Sequence, residues 1–187
     1  MQRYLIAPTS LHRLRRRLLA AGPGVAAEIL HEAGYGTGEA LAAAWAEHVR
    51  KRTGLSDPGE LDAGWLGPLL AELCREMGWG SLELAAIDER ALVVSSVDWA
   101  EAEPGATVEP ACYFSCGALA AFFTAVAGSG SASPIAVIEV ACRSRGDDRC
   151  SFLAAGRDAL AAVYDLMAAG RDWREAFAPA PADRSIQ

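Results

Sequence analysis

Three residues in the last third of the chain are of types that bind metal ions. Glu139 stands three residues before Cys142, and Cys150 follows after the charged segment "RSRGDDR". Carboxylates and thiolates are both zinc ligands, and a hairpin between the cysteines would bring their sulfur atoms within about 4 Å. C-x₇-C is not a standard zinc signature. The spacing is therefore as consistent with two structural thiols and a surface glutamate whose hydrogen bonds are satisfied as it is with a zinc site.

The strand expected around Glu139 predicts that its carboxylate is buried. In "IAVIEVAC", alternation places Glu139 on the same face as Ile135 and Val137, and so apolar a strand usually lies buried on both faces. A buried carboxylate is normally paired, protonated or bound to a metal, because burying it ionised and alone costs several kcal/mol. Glu139 and Cys142 would point to opposite faces of a flat strand, so shared ligation predicts a bulge or a turn at the strand end.

Hydrophobic patterns along the chain predict six helices and two hairpins. The helices are expected from Thr9 or Ser10 to about Ala21, on both sides of "GYGTG", at about 60–77, over "CYFSCGALAAFFTAVAG" and at about 157–169. Strands are expected at about 81–88 and 91–98, and over "PIAVIEVAC" and "RCSFLAA". We interpret "GYGTG" as a connection between two helices, because glycines interrupt the helical pattern there.

This order of elements predicts an α+β fold in which an antiparallel sheet is covered by helices. A chain of 187 residues is long enough for one domain with a sizeable core, and too short for two without a clear linker. We therefore place a single domain at residues 1–178 and a frayed tail at 179–187.

Composition and charge argue against several classes of partner and location. A net charge of -7 and a pI near 5.0 argue against a surface that neutralises phosphates, so nucleic acid is not an expected partner. The chain has no run of about 20 apolar residues to span a bilayer, and its arginines follow the first apolar stretch, unlike a signal peptide, so a cytoplasmic protein is expected. Its five cysteines then favour thiols or metal ligands over disulfides. A solvated face of the first helix is expected for Arg13, Arg15, Arg16 and Arg17.

Two segments resemble the C-terminal half of the 4-vinyl reductase domain family. They are "CGALAAFF", which begins at Cys116, and "IEVACRSRGDDRCSF", and a weaker similarity extends over about residues 10–170. Members that sense aromatic compounds in bacterial transcription activators bind zinc. The resemblance implies that the ligands here are Cys116, Glu139, Cys142 and Cys150. Four protein ligands satisfy a structural zinc ion and leave no open position for catalysis.

The two remaining cysteines are assigned to the core. Cys112 lies one helical turn before Cys116, so it could compete as a ligand or fill space, and we favour packing. Cys74 stands in the apolar context "LLAEL", which also favours packing.

The same resemblance implies a fold and a ligand. It implies the helix-covered sheet of Golgi transport-particle subunits and heme-based nitric-oxide sensors, which encloses an apolar cavity. Aromatic residues that could contact a small hydrophobic molecule there are Trp79, Trp99, Tyr113 and Phe122. Phenol-sensing members hold the ligand hydroxyl with a histidine and a tryptophan, but neither His12, His31 nor His48 matches that histidine. We expect His31 and His48 to lie at the surface or to have their hydrogen bonds satisfied by neighbouring residues.

We therefore expect a stand-alone, zinc-stabilised homodimer that binds a small hydrophobic or aromatic molecule and acts as a sensor or carrier through a separate effector protein. One alternative, implied by the family name, is a reductase or accessory protein of tetrapyrrole (bacteriochlorophyll-type) biosynthesis. The sequence shows no nicotinamide or flavin motif for such chemistry, and no catalytic residue is assigned. Another alternative is an interaction scaffold like the trafficking subunits, with an acyl chain in its cavity.

Overall fold

Five helices and four strands make up the computed structural model, which describes residues 7–128 and 134–178. The helices are α1 (Pro8–Ala21), α2 (Pro23–Thr53), α3 (Ala63–Glu76), α4 (Tyr113–Ala127) and α5 (Arg157–Ala168). The strands are β1 (Glu83–Asp88), β2 (Ala91–Ser96), β3 (Ala136–Ala141) and β4 (Cys150–Ala155), and short 3₁₀ helices lie at Pro58–Glu60 and Trp173–Phe177. The expected α+β order is confirmed, while the predicted tail at 179–187 lies outside the described residues.

The four strands form one antiparallel sheet in the order β1-β2-β4-β3. The two predicted hairpins are therefore joined through β2 and β4, with Val94 opposite Phe152 and Ser96 opposite Cys150. As a central strand covered on both faces, β4 is buried along its whole length. Among the described residues, every helix is too short or too polar to cross a lipid bilayer.

The register of the second hairpin shifts beside Glu139. Glu139 lies opposite Phe152 and Ala141 lies opposite the next residue, Ser151, so Val140 is the extra residue. This irregularity confirms the bulge that shared ligation requires. It lets Glu139 and Cys142 reach the same side of the sheet although they are three residues apart.

Hydrophobic side chains pack on both faces of the sheet. In β4, Phe152 and Ala154 contribute to the larger core, which α2, α3 and α4 cover. The alternate residues Leu153 and Ala155 contribute to a second core beneath α5 and Trp173. This alternation follows the two-residue period of a strand, and it places Cys142 and Cys150 with the larger core.

The connection expected at "GYGTG" is wrong, because α2 is one continuous helix of 31 residues. Gly34 and Gly38 are buried against α4 instead of ending a helix. A Cβ atom at Gly38 would lie 2.2 Å from the carbonyl oxygen of Ala118, and one at Gly117 would lie 2.0 Å from that of His31. The glycines thus allow the two backbones to approach closely, which offsets their cost of about 1 kcal/mol each in a helix.

The arginine run of α1 is only partly solvated. Arg13, Arg16 and Arg17 are exposed as expected, but Arg15 is fully buried at 0% exposure. Neither Thr9 nor Ser10 caps this helix, which begins one residue earlier at Pro8 without a side-chain cap. A proline at the first helical position favours this start, since its ring presets the helical φ angle.

Candidate metal centre

Four buried donor groups converge where the β3–β4 hairpin meets the start of α4. One ligand atom from each lies within 4.8 Å of all the others, in the set Cys112, Glu139, Cys142 and Cys150. The sulfur atoms of Cys112 and Cys142 are 3.8 Å apart. Tetrahedral thiolates at a zinc–sulfur distance of about 2.3 Å lie about 3.8 Å from each other, so the geometry suits a tetrahedral metal ion.

Three of the expected ligands, Glu139, Cys142 and Cys150, lie in this set, but Cys116 does not. Cys112, which its sequence context assigned to packing, stands in its place. The backbone N–H of Cys112 donates to Glu139 Oε2 at 2.9 Å, which holds this residue at the site. Cys116 lies four residues further along, about 6 Å by helical rise, and packs in the larger core.

The carboxylate of Glu139 fits a metal ligand. Its Oε2 accepts the N–H of Cys112, while its Oε1 is buried without a hydrogen-bond partner among the described residues. A buried carboxylate oxygen without a partner is costly, and a coordinated cation would remove that cost. The burial predicted from the strand pattern is confirmed, since Glu139 is 7% exposed.

The segment "RSRGDDR" folds into a tight turn that orients the two hairpin cysteines. Asp147 Oδ2 accepts the N–H of Cys142 at 2.7 Å and a guanidinium N–H of Arg145 at 2.6 Å. The backbone N–H groups of Arg145 and Asp147 both donate to the carbonyl oxygen of Cys142. Gly146 adopts a φ of 109°, which a residue with a side chain rarely adopts. The turn therefore holds the thiols in place through its own hydrogen bonds.

Burial and mutual contacts shift the pKa values of the cluster in opposite directions. Burial raises the pKa of Glu139 well above its usual value, and the hydrogen bond with Cys142 raises the pKa of Cys112. Hydrogen bonds from Cys112 and then Cys150 lower the pKa of Cys142. The protein alone therefore opposes full deprotonation of the cluster, and a divalent cation would favour it.

A buried positive charge lies beside the cluster. Arg15 Nη1 and Nη2 each donate to Ser144 Oγ at 3.1 Å, and Nη1 lies 3.9 Å from Cys112 Sγ. Its Nε has no hydrogen-bond partner among the described residues. The signal in the sequence was its spacing, since Arg15 stands four residues after Leu11 and three before Leu18, on the apolar stripe.

A second buried carboxylate, at Glu101, escaped the sequence analysis because its segment has loop composition. Glu101 accepts the backbone N–H groups of Phe114 and Ser115 at 3.3 and 2.8 Å, and also the hydroxyl of Ser115. It thereby caps α4, whose N-cap residue Cys112 provides no side-chain cap. Burial raises the pKa of Glu101 to about 7.

The four aromatic residues expected at a ligand are spread over the larger core and its edge. Trp99 and Phe122 are fully buried, whereas Trp79 and Tyr113 are half-buried. Trp99 Nε1 already donates to Ser115 Oγ at 2.6 Å, and the Trp99 ring lies 5.6 Å from that of Trp79. Tyr113 lines a surface concavity with Ala27, Glu28, His31 and Glu32.

Two buried nitrogen atoms on α2 were missed as candidates for a ligand site. Trp45 Nε1 and His48 Nε2 have no hydrogen-bond partner among the described residues, although both side chains are buried. The Trp45 ring packs edge-on against Phe122 at 5.9 Å. His48 Nε2 lies 3.7 Å from Glu72 Oε2, too far for a hydrogen bond. His48 Nδ1 also lies 3.9 Å from Glu76 Oε2, so both ring nitrogens are at ion-pair distance from a carboxylate and the satisfied role assigned to His48 stays a prediction. The spacing of three residues between Trp45 and His48 was the available signal.

Residues 96–155 match the sequence model of the vinyl-4-reductase (V-4-R) domain family. The matched segment includes all four donor residues, and it confirms the family resemblance found in the cysteine motif, although it covers less than half of the chain. No curated protein sequence matches.

Two solved structures with a similar fold, those of PoxR and of a trafficking subunit, confirm the expected architecture. The phenol-responsive sensory domain of the transcription activator PoxR, in complex with phenol, aligns with a TM-score of 0.61 at 17% identity, over 83% of this chain and 77% of that one. A trafficking protein particle complex subunit 3 from Naegleria fowleri, covalently bound to palmitic acid, aligns at 0.58 and 12% identity, over 79% and 91%. A vinyl-4-reductase family protein from Methanocaldococcus jannaschii aligns at 0.45 and 20% identity, over 67% and 66%.

Proposed function

From the segment that matches the vinyl-4-reductase family and the buried donor cluster, we propose that this protein is a zinc-stabilised domain that binds a small hydrophobic molecule and acts as a sensor or carrier. The observation that carries the proposal is the convergence of four buried donors with an unpartnered Glu139 oxygen among the described residues. Three thiolates and a carboxylate favour zinc among common metals. Because the protein would supply all four ligands, the ion would have a structural role, tying the start of α4 to the hairpin.

The fold supports the ligand-binding half of the proposal. PoxR uses this architecture in a sensory domain for phenol, and the trafficking subunit carries palmitic acid. Both ligands are hydrophobic with a small polar end. We therefore propose that the occupant here is a small apolar molecule with one hydroxyl or carbonyl oxygen.

We place the polar end of this ligand at Trp45 and His48. A buried donor without an acceptor costs about 1–3 kcal/mol, and a ligand oxygen at Trp45 Nε1 would remove that cost. Phe122 supplies an apolar wall beside the Trp45 ring. Of the four aromatic residues expected to contact a ligand, Phe122 belongs to this proposed site. Ligand contacts of Trp79, Trp99 and Tyr113 stay predictions.

A sensor domain passes its signal to an effector, and we propose a cytoplasmic homodimer that acts through a separate protein. A reducing cytoplasm would keep the cysteines available as thiolates. Light scattering measures the oligomeric state, and a monomer at all concentrations would contradict the dimer.

An interaction scaffold is the second candidate function, and the packed interior favours it. The rings of Trp99 and Phe152 lie 5.6 Å apart, and Trp79 packs against Trp99, so aromatic side chains fill part of the space between helices and sheet. A scaffold would need no ligand, which the experiments below distinguish.

The metal site is tested by the zinc content of purified protein, measured by inorganic mass spectrometry. We expect one zinc ion per chain in the wild type and its loss in Cys112→Ala, because a tetrahedral site needs all four ligands. Cys116→Ala is the matched control, since Cys116 is buried four residues further along in α4 and lies outside the donor set, and it should retain zinc. Absence of metal from the wild type contradicts the site, and the reverse pattern in the two variants would reinstate Cys116 as the ligand.

The ligand site is tested by thermal-shift measurements with phenols, fatty acids and porphyrins. We expect one of these classes to raise the melting temperature, and Trp45→Phe to weaken its binding about tenfold through loss of one hydrogen bond. Trp65→Phe is the control, since Trp65 is 58% exposed, and it should bind as the wild type does. If no compound stabilises the protein, the scaffold function is favoured. If both variants bind a stabilising compound equally well, the ligand does not contact Trp45.

A further inference from the structure

The N-terminal helix α1 contacts the elements that surround the metal site. His12 Nε2 lies 2.8 Å from the carbonyl oxygen of Ala100, and Arg16 Nε lies 3.2 Å from Glu103 Oε2. Between them, Arg15 reaches inward to Ser144 in the hairpin turn. One turn of α1 therefore contacts both the segment before α4 and the hairpin.

Ser144 is the point at which these pieces meet. Its hydroxyl accepts hydrogen bonds from Arg15 and from the backbone N–H of Glu103, the latter at 3.0 Å. Its carbonyl oxygen accepts the N–H of Thr107 at 2.9 Å. Ser144 lies two residues after Cys142. A change in the position of the hairpin cysteines would therefore alter the contact of Ser144 with Arg15 on α1.

The charge of Arg15 is only partly compensated. The buried carboxylate of Glu101 attracts it electrostatically, but that carboxylate accepts its hydrogen bonds from Phe114 and Ser115. A guanidinium is always protonated, and burying it requires a counter-charge. Its hydrogen bonds go to a neutral hydroxyl, and its remaining polar contact is the sulfur of Cys112.

A loaded metal site would add a further counter-charge. Three thiolates and one carboxylate carry four negative charges against two positive charges on the ion, so the site keeps a net negative charge. The contact of Arg15 with Cys112 would then become charge-assisted, and such contacts are about twice as strong as neutral ones. Groups that hydrogen-bond to metal ligands in this way commonly strengthen metal binding.

We propose that Arg15 is a positioning residue that couples occupation of the metal site to the docking of α1, an inference that rests on the proposed metal site. With the ion bound, Arg15 holds α1 against the hairpin. Without it, the buried charge loses part of its compensation and the docking of α1 weakens. The outward face of α1 thus becomes a surface whose presentation depends on the metal.

The first test is zinc affinity, measured by competition with a chromophoric chelator. We expect Arg15→Met to weaken zinc binding about 10–100-fold, the range typical of residues that contact metal ligands, and Arg15→Lys to recover part of the loss. Arg17→Met removes an exposed arginine from the same helix and should leave the affinity unchanged.

The second test is hydrogen exchange of full-length wild type with zinc and after its removal by chelation. We expect amides of α1 to exchange faster without zinc, while those of α5, on the opposite face of the sheet, stay unchanged. Arg15→Met with zinc bound should show the same fast exchange in α1. An equal rise in α1 and α5 would indicate global unfolding and overturn the coupling.

The outcomes separate the inference from the proposed function. Wild type that binds no zinc removes the metal site itself, and the coupling with it. The coupling is overturned if Arg15→Met and Arg17→Met bind zinc equally well, or if hydrogen exchange in α1 does not depend on zinc. Either result leaves the proposed metal site intact. If Arg15→Met does not fold, Arg15→Lys and Ser144→Ala are compared with Arg17→Met, and the wild-type exchange experiment decides.

Discussion

At the scale of single residues, Glu101 determines where α4 begins. Its carboxylate accepts the N–H groups of Phe114 and Ser115, which satisfies donors at the helix start and interacts favourably with the helix dipole. Burial nonetheless raises its pKa to about 7, against the opposing charge of Arg15. The folded protein therefore binds a proton at Glu101 more tightly than the unfolded chain does.

This shift predicts a pH dependence of stability. Below the unfolded value of 4.5 the contribution of the protonated group is fully present, and it is lost as the pH rises to about 7, because the unfolded chain ionises first. The loss is on the order of 3 kcal/mol of unfolding free energy. In Glu101→Gln, urea denaturation between about pH 5 and about pH 8 should show a smaller decline than in the wild type. Identical declines in both proteins would contradict the shift.

Part of the donor set could be predicted from the sequence, and the contacts of Glu101 help to explain why the rest could not. Glu139, Cys142 and Cys150 lie on one hairpin, so their spacing along the chain was sufficient to group them. The fourth donor was assigned to Cys116 by resemblance, whereas the structure brings Cys112 to the hairpin. A cap contributed by Glu101, from a segment of loop composition, leaves Cys112 just before the helix, where its N–H donates to Glu139. Local sequence around Cys112 and Cys116 carries no trace of that distant contact.

At the scale of elements, the contact between α2 and α4 depends on glycines. Gly38 and Gly117 have almost no space for a side chain, whereas a Cβ atom at Gly36, which is exposed on α2, would meet no atom of a neighbouring residue within 4 Å among the described parts of the chain. The pattern "GYGTG" was interpreted as a break because a glycine in a helix looks the same locally whether it ends the helix or packs it. The strand and remaining helix positions were predictable, since they follow from periodicity alone.

A pair of substitutions distinguishes these two roles of glycine. Gly38→Ala should lower the unfolding free energy by about 1–3 kcal/mol through overpacking against Ala118. Gly36→Ala should raise it by about 0.5–1 kcal/mol, since alanine is the better helix former. Urea denaturation measures both values, and a loss of stability in Gly36→Ala similar to that in Gly38→Ala would contradict the packing role.

At the scale of the whole molecule, the sheet separates two hydrophobic cores that differ in the groups they contain. The larger core includes the donor cluster and the aromatic residues of the ligand proposal. The second core, with Leu153, Leu160, Val163 and Trp173, holds α5 against the other face. We therefore expect the stability contributed by the second core not to depend on a metal ion at the donor cluster.

Substitution of a tryptophan in each setting tests this separation. Trp173→Ala should lower the unfolding free energy by about 3 kcal/mol, because Trp173 is 8% exposed in the second core. Trp65→Ala should change it by less than about 0.5 kcal/mol, since Trp65 is 58% exposed. Both variants should keep the zinc content of the wild type, and loss of zinc from Trp173→Ala would show that the two cores are not independent.

The backbone contact between α2 and α4 also restricts how the domain can change shape. Helices in contact at Gly38 and Gly117 cannot slide or separate without losing that fit, so they move as one rigid body. A molecule that enters beside Trp45 on α2 would therefore displace α4 as well, and with it Cys112 at the start of α4. Relaxation-dispersion spectra should accordingly give one common exchange rate for both helices.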